Sequence, residues 1–531
     1  DMSVLRTNGT YSVLIQNESN HVRFESCRLG HVISPNTSVD ADLTFLSNNM
    51  QGYDLNLQHP VASNSGNVIV ENNYVNSVIV TNSDLLSVRN NRGNSTADSY
   101  SVDYTINRSK NITVENNRMR RLYMTQDTLI TVEQNTLYGT YSGQYDIRGV
   151  LLNECMSAEI ENNTITNHNY RRTRGVDVLN SENIGILSNI IDTRAEREWS
   201  MGVYIEGANT RNVLVRENAI TSYYIYNSSM TSHGVYMDAG DSIYIKNNTI
   251  DGLDFNKPGH GIVLYNITTV VEADSNIVRN YLTTGIISRP PANSEWKIRN
   301  NSITNVRDRG MYIEGTGGVY ANNIVNGVIA GDGVNILASN ATVSENRFLN
   351  IQAGTGIIVN GADNLVANNF VEAEGVGIAK GISLQENGSG SEVVFNSINI
   401  TGTDVANGIG LEVLGGNNYT LKHNIFDNPG GGLAAKLDIS IAGSDWDYND
   451  FYSSGDEFGS YLGTLYSDLG SWGAAINADA NSNLLNPFYL SETDLRPSQR
   501  SINGAGIAAS GITLDIDGEL RNQAAPDVGA D

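Results

Sequence analysis

The sequence predicts an all-β protein, a parallel β-helix in which the chain winds into stacked coils of about 25 residues. Two observations predict this fold. A short apolar pattern with an Asn at a fixed place recurs along most of the chain, and the composition is rich in turn-forming residues. The 531 residues include 69 Asn and 52 Gly but only 9 Pro. Because Asn and Gly disfavour helix interiors and favour tight turns, this composition excludes an all-helical protein.

The recurring pattern is apolar, any, apolar, two polar residues, Asn, any, apolar. It is seen in Val68-Ile-Val-Glu-Asn-Asn73-Tyr-Val75 and in Ile243-Tyr-Ile-Lys-Asn-Asn248-Thr-Ile250. The Asn of successive repeats is assigned to positions 49, 73, 91, 117, 135, 163, 189, 218, 248, 276, 301, 323, 346, 369, 396, 424 and 449. The 16 steps from 49 to 449 span 400 residues, a mean of 25, and Cys27 is expected in the same place one step earlier.

A second pattern, Gly followed by apolar, any, apolar, precedes the Asn pattern in most repeats after residue 149. Examples are Gly202-Val-Tyr-Ile205 and Gly310-Met-Tyr-Ile313. Each repeat therefore holds two short strands of period 2 and a weaker third strand. Such a unit cannot bury its own apolar face, so we expect about 17–18 rungs stacked at roughly 4.8 Å. Separate β-sandwich domains, the alternative, carry turn signals every 8–12 residues or so, without a fixed Asn.

The repeat is weak at both ends of the chain. Residues 1–47 carry only a faint period, so the first rungs are expected to be incomplete or preceded by more chain. After Asn449 the period fades and aromatic residues gather as far as Trp472. An open end of a β-helix exposes strand edges and apolar side chains, so we expect a cap over the last rung. The predicted domains are residues 1–449, the β-helix, and residues 450–531, the capping region.

The net charge of the chain limits the classes of partner that it can bind. Lys and Arg number 33 and Asp and Glu 58, which gives a formal net charge of −25 at pH 7. Such a chain repels phosphate backbones and anionic lipids, so nucleic acid is not an expected partner. No apolar run approaches 18 residues, so no membrane insertion is expected in this fragment. Cys27 and Cys155 are expected several rungs apart, too far for a disulfide.

Over roughly residues 10–450 the repeats resemble the right-handed parallel β-helices of the pectate-lyase-like superfamily. Three C-terminal segments are similar to the tails of secreted bacterial surface proteins: Ser444-Asp-Trp-Asp-Tyr-Asn449, Asn486-Pro-Phe488 and Asp515-Ile-Asp-Gly-Glu-Leu-Arg521. The resemblance implies a right-handed coil and export to the cell surface or the extracellular space. It does not define an activity, because the superfamily includes lyases, hydrolases, phage tailspikes and adhesins.

Aligning the Gly-led strands places side chains in columns on one outer face of a sheet. Between residues 200 and 315 this face combines Tyr, carboxylate, His and Arg side chains. It is either a solvated surface, a sugar-binding surface or a catalytic site. The expected ligand-binding residues are Tyr204, Tyr236, Arg289, Tyr312 and Glu314. The basic residues nearby, Lys246, Arg289, Lys297 and Arg299, form no dense cluster of the kind that polysaccharide lyases use.

The candidate catalytic residues are Glu206, Asp238, His233 and His260. Glu206 and Asp238 are expected on adjacent rungs, about 5 Å apart, which suits the nucleophile and the acid/base of a retaining glycosidase. The two histidines suit general bases. No cofactor is indicated with certainty, and Ca²⁺ is the metal that an exported acidic protein would bind. Asp515, Asp517 and Glu519 alternate like the start of a Ca²⁺ loop, without completing an EF-hand.

The sequence therefore predicts an exported cell-surface or extracellular stalk or adhesin-like protein that binds polysaccharide or a cell-surface glycan. Most of the chain is spent on the coil, and no repeat carries a large insertion. The first alternative is a polysaccharide lyase or glycoside hydrolase that acts on the outer face near Glu206, Asp238 and His260. The second alternative is a subunit that assembles with copies of itself into a surface filament.

Overall fold

A computed structural model describes residues 2–7, 10–15, 21–34, 42–58, 66–93, 95–96, 99–100, 103–141, 146–224, 231–253, 257–441, 443–508 and 511–531. It confirms the predicted fold, because nearly all regular structure is β-strand and turn stacks on turn with parallel pairing. The chain divides into two compact units, Asp1–Leu253 and Asp254–Asp531. Within the described residues, no helix is long and apolar enough to cross a membrane.

Three series of strands run along the first unit: the first sheet, the second sheet and the third sheet. The first sheet comprises Met2–Thr7, Thr10–Ile15, Val32–Ser34, Asn49–Gln58, Tyr74–Thr81, Asp103–Asn107, Arg121–Thr125, Ile147–Asn153, Thr173–Leu179, Ser200–Glu206 and Ser232–Lys246. The second comprises His21–Glu25, Asp42–Leu46, Asn67–Glu71, Leu85–Arg89, Lys110–Glu115, Thr128–Glu133, Met156–Glu161, Glu182–Leu187, Arg211–Arg216 and the later part of Ser232–Lys246. The third comprises Arg118–Met119, Thr136–Tyr141, Thr164–Asn169, Ile190–Ala195, Ala219–Tyr224 and Thr249–Asp251. Ser95–Thr96 and Ser99–Tyr100 form a separate hairpin.

The second unit repeats the three series. Its first sheet comprises Gly259–Ile267, Thr284–Arg289, Arg309–Ile313, Asp332–Ile336, Gly354–Val359, Ala379–Leu384, Gly408–Val413, Leu433–Leu437, Gly459–Tyr461 and Thr464–Tyr466. Its second sheet comprises Val270–Asp274, Glu295–Arg299, Val319–Ala321, Thr342–Ser344, Leu365–Ala367, Glu392–Val394, Thr420–Lys422 and Asp445–Asp447. Its third sheet comprises Ile277–Tyr281, Ser302–Val306, Ile324–Val328, Arg347–Ile351, Phe370–Ala373, Ser397–Ile400, Ile425–Asn428 and Asp450–Ser453. One α-helix, Leu469–Ile476, follows.

The leading Gly of the first-sheet strands is required by close packing. A Cβ added to Gly202 would lie 2.2 Å from Cγ2 of Ile220 in the third sheet and 2.6 Å from the carbonyl oxygen of Gly234 in the next turn. A Cβ added to Gly175 or to Gly310 would likewise lie 2.3 Å from a side-chain carbon of the third sheet and 2.5 Å from a carbonyl oxygen of the next turn. The Gly pattern thus marks the place where the first and third sheets come closest.

The asparagines form two buried ladders, one in each unit. After the first Asn of a ladder, the Oδ1 accepts hydrogen bonds from the backbone N–H and the Nδ2 of the ladder Asn one turn earlier. For Asn163 these bonds come from Asn135 at 2.9 and 3.0 Å. The Nδ2 of Asn163 donates to the carbonyls of Val132 and Glu161 and to Oδ1 of Asn189. Because this amide is 1% exposed, water cannot replace these bonds.

The ladder starts one residue earlier than the sequence pattern assigned it. Asn48, not Asn49, donates to Oδ1 of Asn73 and is buried. Two adjacent asparagines made the assignment ambiguous. In the other repeats the Asn follows the second apolar residue by three positions, as Asn73 follows Val70, and the same spacing from Phe45 gives Asn48. Cys27 does precede it in the column, since its backbone N–H donates to Oδ1 of Asn48. Cys27 and Cys155 are both free thiols.

The third sheet is shorter than the ladders. With Asn48 in place of 49, the ladders hold nine asparagines in the described part of the first unit and eight in that of the second. Among the residues that the structure describes, the third sheet has six strands in the first unit and eight in the second. In the early turns it is reduced to isolated bridges, such as Tyr74 with Arg92. In these turns a single strand continues from the third-sheet position into the first sheet, as Asn49–Gln58 and Tyr74–Thr81 do.

The region after Asn449 begins as a cap in the second unit. Trp472 of the helix is fully buried, and its ring centroid lies 5.5 Å from that of Phe458 and 6.3 Å from that of Phe451. Asp479 accepts a hydrogen bond from the indole of Trp472 and another from Nδ2 of Asn449. Asp479 therefore takes the place of a further ladder Asn as the acceptor for Asn449.

Beyond the cap, the chain runs back along the outside of the second unit. The backbone N–H of Ile507 donates to Nε2 of His423, and Arg521 donates to Oδ1 of Asn368. Asp517 pairs with Arg347 at 2.9 Å. These partners belong to different turns, so this C-terminal segment covers several rungs as well as the last one. The domain division at residue 449 stays a prediction.

We predict that Asn163→Ala lowers the free energy of unfolding by about 3–5 kcal/mol, because it removes several hydrogen bonds and leaves a buried N–H and buried carbonyls without partners. Thr164→Ala, at an exposed position of the same turn, is the control, with a change of about 0.5 kcal/mol or less. Denaturant unfolding followed by circular dichroism measures both. Equal effects of the two variants would contradict a structural role of the ladder.

One buried carboxyl makes the stability depend on pH. Asp450 is 0% exposed, and its Oδ1 accepts from the N–H of Leu485 at 2.9 Å. Burial, with a contribution from the charge of Asp427, raises the pKa of Asp450 to about 8. The folded chain therefore holds a proton that the unfolded chain releases near pH 4. Its stabilising contribution is complete below about pH 4 and is lost as the pH rises towards 8.

We predict that Asp450→Asn, which keeps the acceptor and removes the charge, raises the free energy of unfolding at pH 8 by about 2–4 kcal/mol and changes it little at pH 4. The measurement is denaturant unfolding at both pH values. Asp438→Asn, at an exposed carboxylate, is the control. A gain that is equal at pH 4 and pH 8 would show that the charge of Asp450 is not the cause.

Candidate functional site

The first sheet of the first unit presents the candidate site on its outer face. Tyr204 pairs in register with Tyr236 of the next strand, and Glu206 pairs with Asp238. These four side chains, with Arg174, Asp177, Trp199 and His233, are here called the tyrosine face. Adjacent parallel strands lie about 4.8 Å apart, so Glu206 and Asp238 are direct neighbours, as the alignment of Gly-led strands predicts.

Aromatic rings stack along the tyrosine face. The ring centroids of Tyr204 and Tyr236 are 5.5 Å apart with 12° between the planes, and those of Trp199 and Tyr204 are 6.4 Å apart with 22° between them. His233 lies 5.1 Å from Tyr236 at a tilt of 49°. Since neighbouring rings cover much of each flat face, the stack presents mainly ring edges and hydroxyl groups outward.

The hydroxyl of Tyr204 donates a 2.6 Å hydrogen bond to Oε2 of Glu206. Burial, together with this hydrogen bond and the charge of Glu206, raises the pKa of Tyr204 above its usual value. The phenol therefore stays protonated at neutral pH and acts as a donor. Glu206 is exposed, so its carboxylate can accept further hydrogen bonds from a ligand.

A buried ion cluster lies beneath the rings. Asp177 is 0% exposed, and its Oδ2 accepts from Nη1 of Arg174 at 2.6 Å and lies 3.1 Å from Nε of Arg148. Burial raises the pKa of Asp177, and the two guanidinium groups oppose this rise. The guanidinium of Arg174 also lies 4.2 Å from the ring centre of Tyr204 and 4.7 Å from that of Trp199. Arg174 thus joins the ion cluster to the aromatic stack.

The sequence interpretation missed a group of arginines, of which Arg148, Arg172 and Arg174 contact residues of this face. Six arginines fall between residues 148 and 197: Arg148, Arg171, Arg172, Arg174, Arg194 and Arg197. Arg171 and Arg172 both pair with Glu198, at 3.3 and 2.5 Å. The segments Tyr170-Arg-Arg-Thr-Arg174 and Arg194-Ala-Glu-Arg197-Glu-Trp199 were the signal. They lie partly in turns, outside the strand columns on which the interpretation relied.

His233, a candidate base, is 7% exposed and lies in register with Met201. Its Nε2 is 3.1 Å from the hydroxyl oxygen of Thr231. The imidazole lies next to the ring of Tyr236. This burial limits direct access of a ligand to the imidazole.

The other four predicted residues lie in the second unit. His260 is partly buried, and burial, helped by the charge of Arg309, lowers its pKa to about 4, so it is neutral near pH 7. Arg289 donates through Nε and Nη2 to Oε2 of Glu314, at 2.9 and 2.5 Å. The guanidinium of Arg309 lies 4.9 Å from the ring centre of Tyr312. Arg289 thus already has a carboxylate partner.

The residues predicted to bind Ca²⁺ form a turn. Oδ1 of Asp515 accepts from the backbone N–H of Asp517 and of Glu519, at 2.9 and 2.8 Å. Asp517 pairs with Arg347 and lies 3.5 Å from Arg496. In the part of the chain that the structure describes, no group of three or more His, Cys, Asp or Glu residues is arranged to hold a metal ion. Ca²⁺ binding by Asp515, Asp517 and Glu519 stays a prediction.

Comparison with known proteins establishes the family. Residues 120–289 and 284–438 match the family model of the right-handed beta helix region, and together they span 319 of the 531 residues. The chain therefore belongs to this family, which confirms the resemblance to right-handed β-helix proteins. No curated protein matches the sequence.

Among solved structures, the chain is similar to the A-module of the mannuronan C-5 epimerase AlgE6 from Azotobacter vinelandii. The alignment has 11% sequence identity and covers 71% of this chain and 90% of the module, with a TM-score of 0.22. A likeness this distant does not transfer an activity to this chain.

Proposed function

We propose that this chain is an exported β-helical surface protein and that its tyrosine face binds polysaccharide. The observation that carries the proposal is the row of Trp199, Tyr204 and Tyr236 on one outer face, flanked by Arg174 and Glu206. The similarity of the C-terminal segments to the tails of secreted surface proteins supports export.

The chemistry of the tyrosine face suits a chain of sugar residues. Carboxylates and phenols offer hydrogen bonds to the hydroxyl groups of a sugar, and the exposed parts of the rings add apolar contact area. Equivalent positions recur at each turn, roughly every 4.8 Å, so an extended ligand can contact several turns at once. Weak contacts that repeat in this way add up to useful affinity.

The pairing of charges favours a neutral polysaccharide over an acidic one. Arg148 and Arg174 share Asp177, and Arg171 and Arg172 share Glu198. A uronate or sulfate group would have to compete with these carboxylates in a chain whose net charge is −25. A neutral glycan meets no such competition.

Catalysis is the competing function for the same residues. Glu206 and Asp238 are neighbours on an exposed face, which is the arrangement that retaining glycosidases use. Against this, Glu206 accepts a hydrogen bond from Tyr204, and His233 is buried. A polysaccharide lyase or a glycoside hydrolase would release products, whereas an adhesin or stalk would only bind.

We predict that Tyr204→Ala and Tyr236→Ala each weaken binding of a neutral polysaccharide about tenfold, because each removes an aromatic edge from the row. Affinity electrophoresis and calorimetry with mannan, xylan, β-glucan and polygalacturonate make the comparison. Tyr123→Ala is the matched control. Tyr123 stands in the same column three turns earlier, with the guanidinium of Arg121 at 4.9 Å from its ring centre.

Equal weakening by Tyr123→Ala, or tighter binding of polygalacturonate than of every neutral polymer, would contradict the proposed surface. Product release is followed in the same samples by reducing ends and by the absorbance of unsaturated uronates. Turnover that Glu206→Gln or Asp238→Asn abolishes would replace the binding function with the enzymatic one.

A further inference from the structure

A cleft of about 570 Å³ opens on the second unit between the third sheet and the C-terminal segment. Asn399, Thr401 and Asp427 line it from the sheet side, and Asn486, Tyr489, Ser491 and Glu492 from the C-terminal side. Thr403, Pro429 and Gly430 complete its lining. None of these residues belongs to the tyrosine face, so the cleft is a separate candidate, here called the C-terminal cleft.

Two buried acceptors in the C-terminal cleft have no partner. Asn399 is 4% exposed and Asp427 is 5% exposed, and Oδ1 of each lacks any hydrogen bond to the described residues. The two side chains are neighbours in register on adjacent strands. A buried acceptor without a donor costs about 1–3 kcal/mol, and proteins leave few of them unless a ligand or a water molecule supplies the donor.

The surroundings of these acceptors are fixed. Both oxygens of Glu372, the neighbour of Asn399 in register, are engaged: Oε2 by the N–H of Asn350 and Oε1 by the hydroxyl of Thr401. The hydroxyl of Tyr489 donates to the carbonyl of Ile398 at 3.1 Å. The cleft is therefore built before any ligand arrives, which lowers the entropic cost of binding.

The lining selects against anions. The residues that line the cleft include Asp427 and Glu492 but no Lys or Arg. Amides and hydroxyls supply both donors and acceptors, as a ligand with several hydroxyl groups requires. Burial raises the pKa of Asp427 to about 7, so near neutral pH its carboxyl group both donates and accepts hydrogen bonds.

We propose that the C-terminal cleft binds a neutral sugar residue, whose hydroxyl groups form hydrogen bonds with the amide of Asn399 and the carboxyl group of Asp427. The site goes beyond the function proposed for the tyrosine face and does not depend on it. It makes the C-terminal segment a wall of a ligand site in addition to a cover for the second unit.

The test measures binding of maltose, cellobiose and mannobiose to the full chain by saturation-transfer-difference NMR, with digalacturonate as the anionic probe. At least one neutral disaccharide is expected to bind, and to bind more tightly than digalacturonate. Asn399→Leu and Asp427→Leu are each expected to weaken binding at least tenfold. Both replace an unpartnered polar group with an apolar one of similar size, so both are expected to fold.

Asn335→Leu is the matched control, at a half-buried position of the first sheet outside the cleft, where Oδ1 also lacks a hydrogen bond to the described residues, with an expected change of less than twofold. The proposal is overturned if no neutral disaccharide binds, or if folded Asn399→Leu and Asp427→Leu bind as the unaltered chain does. A crystal of the unaltered chain soaked in the bound disaccharide gives a test without substitutions. Density in the cleft supports the proposal, and density only elsewhere overturns it.

The experiments can reject either proposed site without rejecting the other. Loss of disaccharide binding in Tyr204→Ala, with binding retained in Asn399→Leu, would overturn the C-terminal cleft and leave the tyrosine face standing. The reverse result would support the cleft whatever the polysaccharide experiments show.

Discussion

The structure depends on one interaction, the hydrogen bonding of buried asparagine amides from turn to turn. Asn163 shows the pattern: its Nδ2 donates to a carbonyl of its own turn, Glu161, and to one of the preceding turn, Val132, and its backbone N–H donates to Oδ1 of Asn189 in the next turn. Any slip of one residue would bury unpaired donors and acceptors, so the ladder fixes the register of all three sheets at once. The outer columns, and therefore every candidate site, follow from that register.

Much of this arrangement was readable from the sequence, because the ladder needs one residue type at one place in each turn. The Gly column was equally readable, since a Cβ would strike the neighbouring turn. The first rung was misassigned where two asparagines stand side by side. The missing third-sheet strands of the early turns lay beyond prediction, because period-2 alternation alone does not show where one strand bends into the next.

The C-terminal segment has no repeat, so its route could not be predicted from its own sequence. The sequence of the coil nevertheless contains a signal that part of its surface is covered. In most turns a polar residue with positive φ precedes the ladder Asn, as Asn162 and Asn300 do. In three late turns that residue is Phe395, His423 or Tyr448, and these rings stack on one another. Large aromatic rings at positions that otherwise face solvent indicate that another part of the chain covers them.

The candidate sites arise from the same regularity in two ways. On the tyrosine face, stacking of equivalent positions builds an aromatic row above a buried ion cluster. In the C-terminal cleft, an irregular segment closes over a regular sheet and leaves acceptors that the sheet cannot satisfy. The sequence search missed the turn arginines and the cleft acceptors, because it aligned only the Gly-led strands of the first sheet, whereas Asn399 and Asp427 lie in the third sheet.

Engineered disulfides test the register of the turns most directly, in a chain in which Cys27 and Cys155 are replaced by Ser. Glu206→Cys with Asp238→Cys places two thiols on adjacent strands in register, and this pair should cross-link readily on mild oxidation. Leu179→Cys with Asp238→Cys places them two turns apart, about 9.6 Å, and should not cross-link. Cross-linking of the second pair in place of the first would contradict the stacking that the asparagine ladder imposes.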